Sequence, residues 1–165
     1  MLIALFLTAV LFVYLYGTLD QVKKDHTRYL SGIKTLQNSQ RIYDILVHDL
    51  TEIRGPLHIV HEAGYDRIDM ITDHSVYDIP RPWVHWFVSQ KDHALIRIEA
   101  TAPIDFLHKN YLQNGGAAFF ADRFAQGCDS LRFTLSTGSV NMMIRCRKIE
   151  PILSRIFVGD GERRP

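Results

Sequence analysis

Eight histidines are the chain's most obvious candidates for metal binding. The closest cluster is His58, His61 and Glu62, in the segment His-Ile-Val-His-Glu. A metalloprotease helix needs the order His-Glu-x-x-His, which puts both imidazoles on one face with the glutamate between them. Because the order here differs and the segment follows Gly55 and Pro56, we predict hydrogen-bonded or solvated histidines, with no metal and no cofactor.

The sequence carries no signature of an enzyme that we can find. It contains no Gly-x-Ser-x-Gly elbow, phosphate-binding loop or dinucleotide fingerprint, so we predict no catalytic residue. The formal charge is +1 and 22% of the residues are charged, which gives no field that would attract nucleic acid. The alternative to a structural protein is a binding module with a cleft around Trp83, Trp86 and a Gly115–Gly116 loop. The two tryptophans alternate with polar residues in a predicted strand, however, which favours core and rim positions for them.

The two cysteines, Cys128 and Cys146, flank a predicted hairpin. A two-residue turn at Thr137 and Gly138 sets facing pairs that bring Leu131 opposite Ile144. The same register pairs Leu135 with Val140 and Phe133 with Met142, so every apolar residue of the hairpin is expected on one face.

In that register the two cysteines are one step out of phase. Cys128 lies opposite Arg147, and Cys146 lies opposite Asp129, so a flat ladder would point the thiols to opposite faces. Gly127 allows a bulge or a strand end, and one extra residue would correct the phase. The pair is therefore either a disulfide at the base of the hairpin or two reduced thiols.

The chain begins with an apolar run over residues 2–16, which holds no charged side chain and is the first element of the predicted fold. As a helix it reaches roughly 22 Å, short of the roughly 30 Å hydrocarbon core of a bilayer. A cleaved signal peptide lacks its basic start here, and a helix that is apolar on every side needs a larger protein around it. We therefore expect a membrane or assembly helix, with these side chains in the apolar contact: Leu2, Ile3, Ala4, Leu5, Phe6, Leu7, Val10, Leu11, Phe12 and Val13.

Lys23 and Lys24 follow this run directly. The positive-inside rule would hold the bulk of the chain in the cytoplasm, unless basic residues precede Met1. The orientation therefore stays open on charge alone.

The opening residues Met-Leu-Ile-Ala-Leu resemble the middle of the type IV prepilin signature. In that signature a basic leader ending in Gly precedes Phe-(Ser/Thr)-Leu-x-Glu and an apolar run. On this alignment Met1 falls one residue after the family's glutamate, so the resemblance implies that translation starts upstream. It also implies a periplasmic head, and that oxidising compartment favours the disulfide between Cys128 and Cys146.

From Thr18 to Arg54 the sequence becomes polar but keeps a helical period. The apolar positions are Tyr29, Ile33, Leu36, Tyr43, Leu46, Val47, Leu50 and Ile53. Gly17 and Gly32 are weak points, no proline interrupts, and Gly55 with Pro56 should end the helix. A coiled coil is the alternative, but Gln40 occupies an apolar heptad position, so a sheet packed on one face is favoured.

Beyond Gly55 the apolar residues alternate, which predicts strands. Ile68, Met70 and Thr72 occupy alternate positions of a first strand. A hairpin is expected further on, in which the loop 89–93 joins two strands. Its residues resemble a pseudopilin and minor pilin pattern: Thr72, Ser75 and Tyr77 lead to Val84, Trp86 and Val88, then to Leu95 and Arg97. Arg97 is expected to pair locally, with Glu99, and residues 117–125 could form a short helix.

These observations predict an α+β, pilin-like chain. The transmembrane half of the helix covers residues 1–17, its amphipathic half residues 18–55, and a β-rich periplasmic head residues 56–165. The resemblance implies a structural minor pseudopilin or minor pilin of a type II secretion pseudopilus or type IV pilus, single-pass in the bacterial inner membrane. Its partners would be other pseudopilins or pilins, the inner-membrane assembly platform and the lipid bilayer; the alternative is a membrane-tethered periplasmic binding or sensor module.

Overall fold

The computed structural model describes residues 2–61, 64–104 and 118–158, with the backbone alone for residues 2–10, 13, 28 and 31. The chain divides into two compact units, Met1–Gln37 and Asn38–Pro165. Its elements are α1 (Leu2–Thr51), β1 (His58–His61), β2 (Asp66–Ile71), β3 (Trp83–Ser89), β4 (Ala94–Ala100), β5 (Phe119–Gln126), β6 (Cys128–Ser136), β7 (Ser139–Cys146) and β8 (Ile152–Phe157). The predicted α+β class is confirmed.

The single N-terminal helix is confirmed, and it continues through Gly17 and Gly32. It ends at Thr51, earlier than the predicted stop at Gly55. The reason is pairing with β2: Ile53 bridges to Thr72, and the Arg54 amide donates to the Ile71 carbonyl at 2.8 Å. These backbone groups are then no longer available for another helical turn. No described helix combines the length and hydrophobicity needed to span a membrane.

The amphipathic stripe of α1 is buried in its last turns. Ile42, Leu46 and Leu50 are at most 1% exposed, and they pack into the core of the second unit. Tyr29 and Leu36 are 68% and 59% exposed. The predicted packing of the stripe on a sheet is confirmed for its residues in the second unit.

Two antiparallel sheets form the remainder of the second unit. The first is a meander in the order β1-β2-β3-β4-β5, and the second is a meander in the order β6-β7-β8. A parallel bridge between Tyr65 and Leu131 connects them. Buried residues of α1 and both sheets belong to one hydrophobic core.

The predicted alternation places Ile68, Met70 and Thr72 in the core, all at most 1% exposed. The predicted hairpin is also present, as β3 and β4. The short helix expected over residues 117–125 is wrong, because Phe119–Gln126 pairs with β4 as the edge strand β5. Gly115, Gly116 and Ala117 lie outside the described residues.

The register predicted for the last hairpin is confirmed, with Leu131 opposite Ile144 and a two-residue turn between Ser136 and Ser139. One detail differs. Leu135 shares the inner face by alternation yet is 61% exposed, and Met143 on the outer face is 39% exposed. The core therefore reaches the turn on β7, where Val140 is fully buried, but leaves Leu135 of β6 open, and apolar side chains remain on the outside of this sheet.

Candidate functional site

The most concentrated polar site in the described chain surrounds Asp49, on the buried face of α1. Its carboxylate is fully buried. Oδ1 accepts from Nδ1 of His74 at 2.6 Å and from Nη2 of Arg97 at 2.9 Å. Oδ2 accepts from Nε1 of Trp86 at 2.7 Å and from Nε of Arg97 at 2.9 Å. Four donors therefore saturate the carboxylate of Asp49, and the Arg97 contact is bidentate.

Arg97 also connects this carboxylate to Glu99. Its Nη1 lies 2.6 Å from Oε2 of Glu99, and both side chains are fully buried. The predicted pairing of Arg97 with Glu99 is confirmed. We call Asp49, His74, Trp86, Arg97 and Glu99 the Asp49 network.

Glu99 in turn holds the loop that follows β2. It accepts hydrogen bonds from the backbone N–H of Val76, at 3.0 Å, and from the hydroxyl of Ser75. The same hydroxyl accepts from the backbone N–H of Ile79 at 2.7 Å, and Tyr77 donates to Asp122 on β5 at 2.6 Å. The network thus joins α1, β3, β4 and this loop, and through Tyr77 it reaches β5.

The electrostatics of the site follow from these contacts. Burial by itself raises the pKa of Asp49, but the hydrogen bonds from His74, Arg97 and Trp86 outweigh it and hold the pKa below its ordinary value. Burial likewise disfavours the charged guanidinium, yet Asp49 and Glu99 raise the pKa of Arg97. With His74 protonated, two cations balance two carboxylates.

His74 makes the stability of this site depend on pH. The hydrogen bond with Asp49 raises the pKa of His74 above its ordinary value of 6.5, against the effect of burial. The resulting stabilisation is complete below about pH 6.5 and is lost as the pH rises through the folded-state pKa. Unfolding by urea at pH 5.5–8.5 should show stability falling across the upper part of this range, and the fall should be smaller in His74→Gln. Equal pH dependence in the two proteins would contradict the assignment.

The chemistry available at the Asp49 network is structural. Every oxygen of Asp49 already accepts hydrogen bonds, and Trp86 and Arg97 are fully buried, so no substrate atom can reach these groups. A saturated buried ion pair fixes the relative position of the elements that supply it. The network therefore determines how the end of α1 sits on the first sheet.

The predicted family motif residues converge on this site. Trp86 and Arg97 are directly opposite each other on β3 and β4. Val84, Val88 and Leu95 are buried beside them in the core. The sequence analysis did not identify Asp49. This residue lies three positions after Leu46 and one before Leu50, and on an amphipathic helix that position was a usable signal for a buried acid.

A second buried carboxylate, that of Asp66, connects the two sheets. It accepts from the backbone N–H of Phe133 at 2.7 Å and from Nη1 of Arg132 at 2.9 Å, both on β6. Its third partner, at 3.0 Å, is Nδ1 of His61. Burial opposes these bonds, yet together they hold the pKa of Asp66 below its ordinary value.

The acidic residues of β2 are more enclosed than their sequence suggests. Their place in the sequence predicts Asp66, Asp69 and Asp73 on the exposed side of a strand and in the turn that follows it, but the side chains of Asp66 and Asp69 are only 1% and 15% exposed. Each accepts hydrogen bonds from neighbouring side chains, those of His85 and Arg67 in the case of Asp69. Asp73 is more open and pairs with Arg54.

The histidine cluster at the start of the first sheet is part of strand β1. His58 and His61 are three residues apart, so their side chains lie on opposite faces of the strand. His61 is engaged with Asp66. No group of three metal-ligating side chains occurs in residues 2–61, 64–104 and 118–158, and Glu62 falls outside these ranges.

The residues of the alternative tryptophan cleft are only partly described by the structure. Trp86 is fully buried in the Asp49 network, Trp83 is half-buried, and Gly115 and Gly116 fall outside the described residues. An open cavity of about 260 Å³ lies elsewhere, along β5. Its lining residues are Asn38, Arg123, Phe124, Ala125, Gln126, Lys148 and Ile149.

The predicted bond between Cys128 and Cys146 is confirmed as a disulfide with an S–S distance of 2.07 Å. The two residues pair directly, because the register shifts between Cys128 and Ser130 and leaves Asp129 as the extra residue of a bulge. Gly127 adopts a φ of +65°, which a residue with a side chain rarely does. The predicted bulge is therefore present, and the disulfide closes the base of the β6–β7 hairpin.

The sequence matches no family model, and no curated protein or solved structure is significantly similar to it.

Proposed function

We propose that this chain is a structural subunit of a pilin-like assembly, a minor pseudopilin or minor pilin, that joins other subunits through α1. In this role the β-rich head is a preformed contact module and performs no catalysis. The resemblance of the opening residues and of the β3–β4 segment to the prepilin and pseudopilin patterns motivates the proposal.

The observation that carries the proposal is the uncovered apolar surface of the first half of α1. Leu11, Phe12, Leu15, Leu19 and Val22 are 45–64% exposed. Complete burial of one such side chain is favourable by roughly 1.5–3 kcal/mol relative to leaving it in water. A helix with this much apolar surface requires a partner, and bundled helices or lipid supply one.

The site chemistry of the head agrees with a structural role. The Asp49 network saturates its buried charges and fixes the last turns of α1 against the first sheet. A subunit that transmits force or position from its helix to its head needs such a rigid connection. The disulfide supports a periplasmic location for the head, since disulfides persist in oxidising compartments.

The location of the first half of α1 is part of the proposal. Residues 2–16 carry no charge, and we propose that they lie in the inner membrane before assembly and among like helices afterwards. Moving between these two surroundings keeps the same side chains away from water.

One observation favours the alternative, a tethered binding or sensor module. The 260 Å³ cavity along β5 approaches the size of a small-molecule site. Its lining contains two cations, Lys148 and Arg123, and two amide side chains, Asn38 and Gln126. A Lys148→Ala and Gln126→Ala variant separates the two functions. If the variant still assembles into the filament fraction as the wild type does, the structural subunit is favoured. If the variant loses a ligand-dependent signalling response, the binding or sensor module is favoured.

The assembly itself can be tested by introducing charge on α1. Leu19→Glu together with Val22→Glu should reduce the amount of chain recovered with the high-molecular-mass filament fraction about tenfold or more, because two apolar contacts become buried charges. Gln21→Glu, exposed between the same positions, should leave the recovery unchanged. Equal recovery of the double variant and the wild type would contradict assembly through this helix.

A further inference from the structure

Strand β8 is the open edge of the second sheet and carries unusually exposed apolar side chains. Among the described strands it pairs only with β7. Phe157 and Leu153 are 75% and 71% exposed, more than any other large apolar side chain described outside α1. An exposed apolar edge strand is a template for pairing with another chain.

The hydrogen-bond phase shows which backbone groups face outward. The amide of Val158 donates to the carbonyl of Gly138, on the β7 side, at 3.1 Å. Residues alternate in an antiparallel strand, so Ile156 and Ser154 also direct their backbone groups toward β7. Leu153, Arg155 and Phe157 therefore direct their N–H and C=O groups away from the sheet.

The same three residues determine the side-chain pattern of the edge. Ile152 and Ile156 are buried on the inner face, which places Leu153, Arg155 and Phe157 together on the outer face. Met143, opposite Leu153, extends the apolar surface onto β7. Read along the strand, the outer face is apolar, cationic and apolar.

The charge around β8 selects the partner. Between residues 128 and 158 there are five Lys or Arg residues and only two acidic residues, Asp129 and Glu150. Arg132 is already paired with Asp66 of β2, which leaves four cations against these two acids. Nε of Arg155 bonds Oδ1 of Asn141 at 2.8 Å, which holds the cationic side chain along the outer face. A basic sheet attracts an acidic partner.

A second copy of this chain fits the edge poorly. An antiparallel β8–β8 pair that places Leu153 opposite Phe157 also places Arg155 opposite the Arg155 of the other copy. Like charges directly opposite each other in a sheet are destabilising.

We propose that β8 binds an extended segment of a partner protein as an added strand, and that this segment has an apolar residue, an acidic residue and an apolar residue at alternate positions. The acidic side chain lies beside Arg155, and the apolar ones lie beside Leu153 and Phe157. The inference depends on the second sheet alone and is independent of the assembly of α1.

The test uses the full chain and a labelled, end-blocked heptapeptide of sequence Thr-Val-Thr-Glu-Thr-Val-Thr, with a second peptide that carries Lys in place of Glu. Fluorescence anisotropy should show at least about fivefold tighter binding of the Glu peptide, from an opposite-charge pair replacing a like-charge pair. Arg155→Glu should reverse that preference. Leu153→Lys with Phe157→Lys should abolish binding, and Leu135→Lys, at another exposed apolar position away from this edge, should not.

A measurement on the wild type covers the case in which a variant fails to fold. Hydrogen exchange should show that the Glu peptide protects the amides of Leu153, Arg155 and Phe157, the outward-facing set. Absence of binding, equal affinity for the two peptides, or protection elsewhere on the chain would overturn the proposal. Self-association of the chain that Leu153→Lys removes would overturn it as well, in favour of a second copy on this edge.

Discussion

Replacing the buried Asp49 with alanine is expected to lower the free energy of unfolding by about 3–5 kcal/mol, more than any other substitution proposed for this chain. Removal of one partner of a buried ion pair leaves the other charge without compensation in a medium that solvates it poorly. In this case Arg97 would lose its bidentate contact, and Trp86 would lose the acceptor of its indole N–H. Chemical denaturation followed by circular dichroism would measure the change.

Asp44 provides the matched control on the same helix. It is exposed, and its carboxylate accepts a hydrogen bond from the side chain of Gln40, one turn earlier. Asp44→Ala should change stability by less than about 0.5 kcal/mol. Arg97→Ala and the double variant complete a cycle, and the double variant should be less destabilised than the sum of the two single ones. Strict additivity would mean that Asp49 and Arg97 do not act as a pair.

Loss of the disulfide is expected to have the second largest effect, about 3 kcal/mol, because the bond closes a loop between residues 18 positions apart. The Cys128→Ala and Cys146→Ala double variant should unfold at a correspondingly lower guanidinium concentration. Reducing agent, added during unfolding because both cysteines are buried, should lower the stability of the wild type and leave that of the variant unchanged. Wild-type protein that shows two free thiols after denaturation without reductant would contradict the bond.

The last hairpin was predictable from its sequence because local geometry determines it. Two turn residues, Thr137 and Gly138, fix the register, and the alternation of apolar residues fixes the buried face. The bulge at Asp129 agrees with the phase of the two cysteines, which required one extra residue if they were to form a disulfide.

Other elements depend on contacts distant in sequence, and the sequence predicted them poorly. Phe119–Gln126 has no clear period of two, and it is a strand because β4 offers an open edge. Asp66 is buried because β6 provides Arg132 and a free backbone N–H at Phe133. Neither partner can be recognised from the residues around Asp66.

The Asp49 network lies between these two cases. Its strand residues, Trp86 and Arg97, were identified by their place in a pattern, without the reason for their spacing. The structure supplies that reason: the two side chains face each other across β3 and β4, and both bind one carboxylate of α1. The helix residue was missed because a single acid within an amphipathic stripe is more often solvated.

Photo-cross-linking in the organism that encodes this chain tests the central claim most directly. A photoreactive amino acid at Leu15 or Leu19, both exposed on the first half of α1, reports what covers the helix, and Asp44 serves as the control position. We predict cross-links from Leu15 and Leu19, and not from Asp44, to proteins that carry a prepilin-type apolar N-terminal helix, identified by mass spectrometry. No protein cross-link at Leu15 and Leu19, or cross-links only to proteins without such a helix, would contradict a pilin-like assembly subunit.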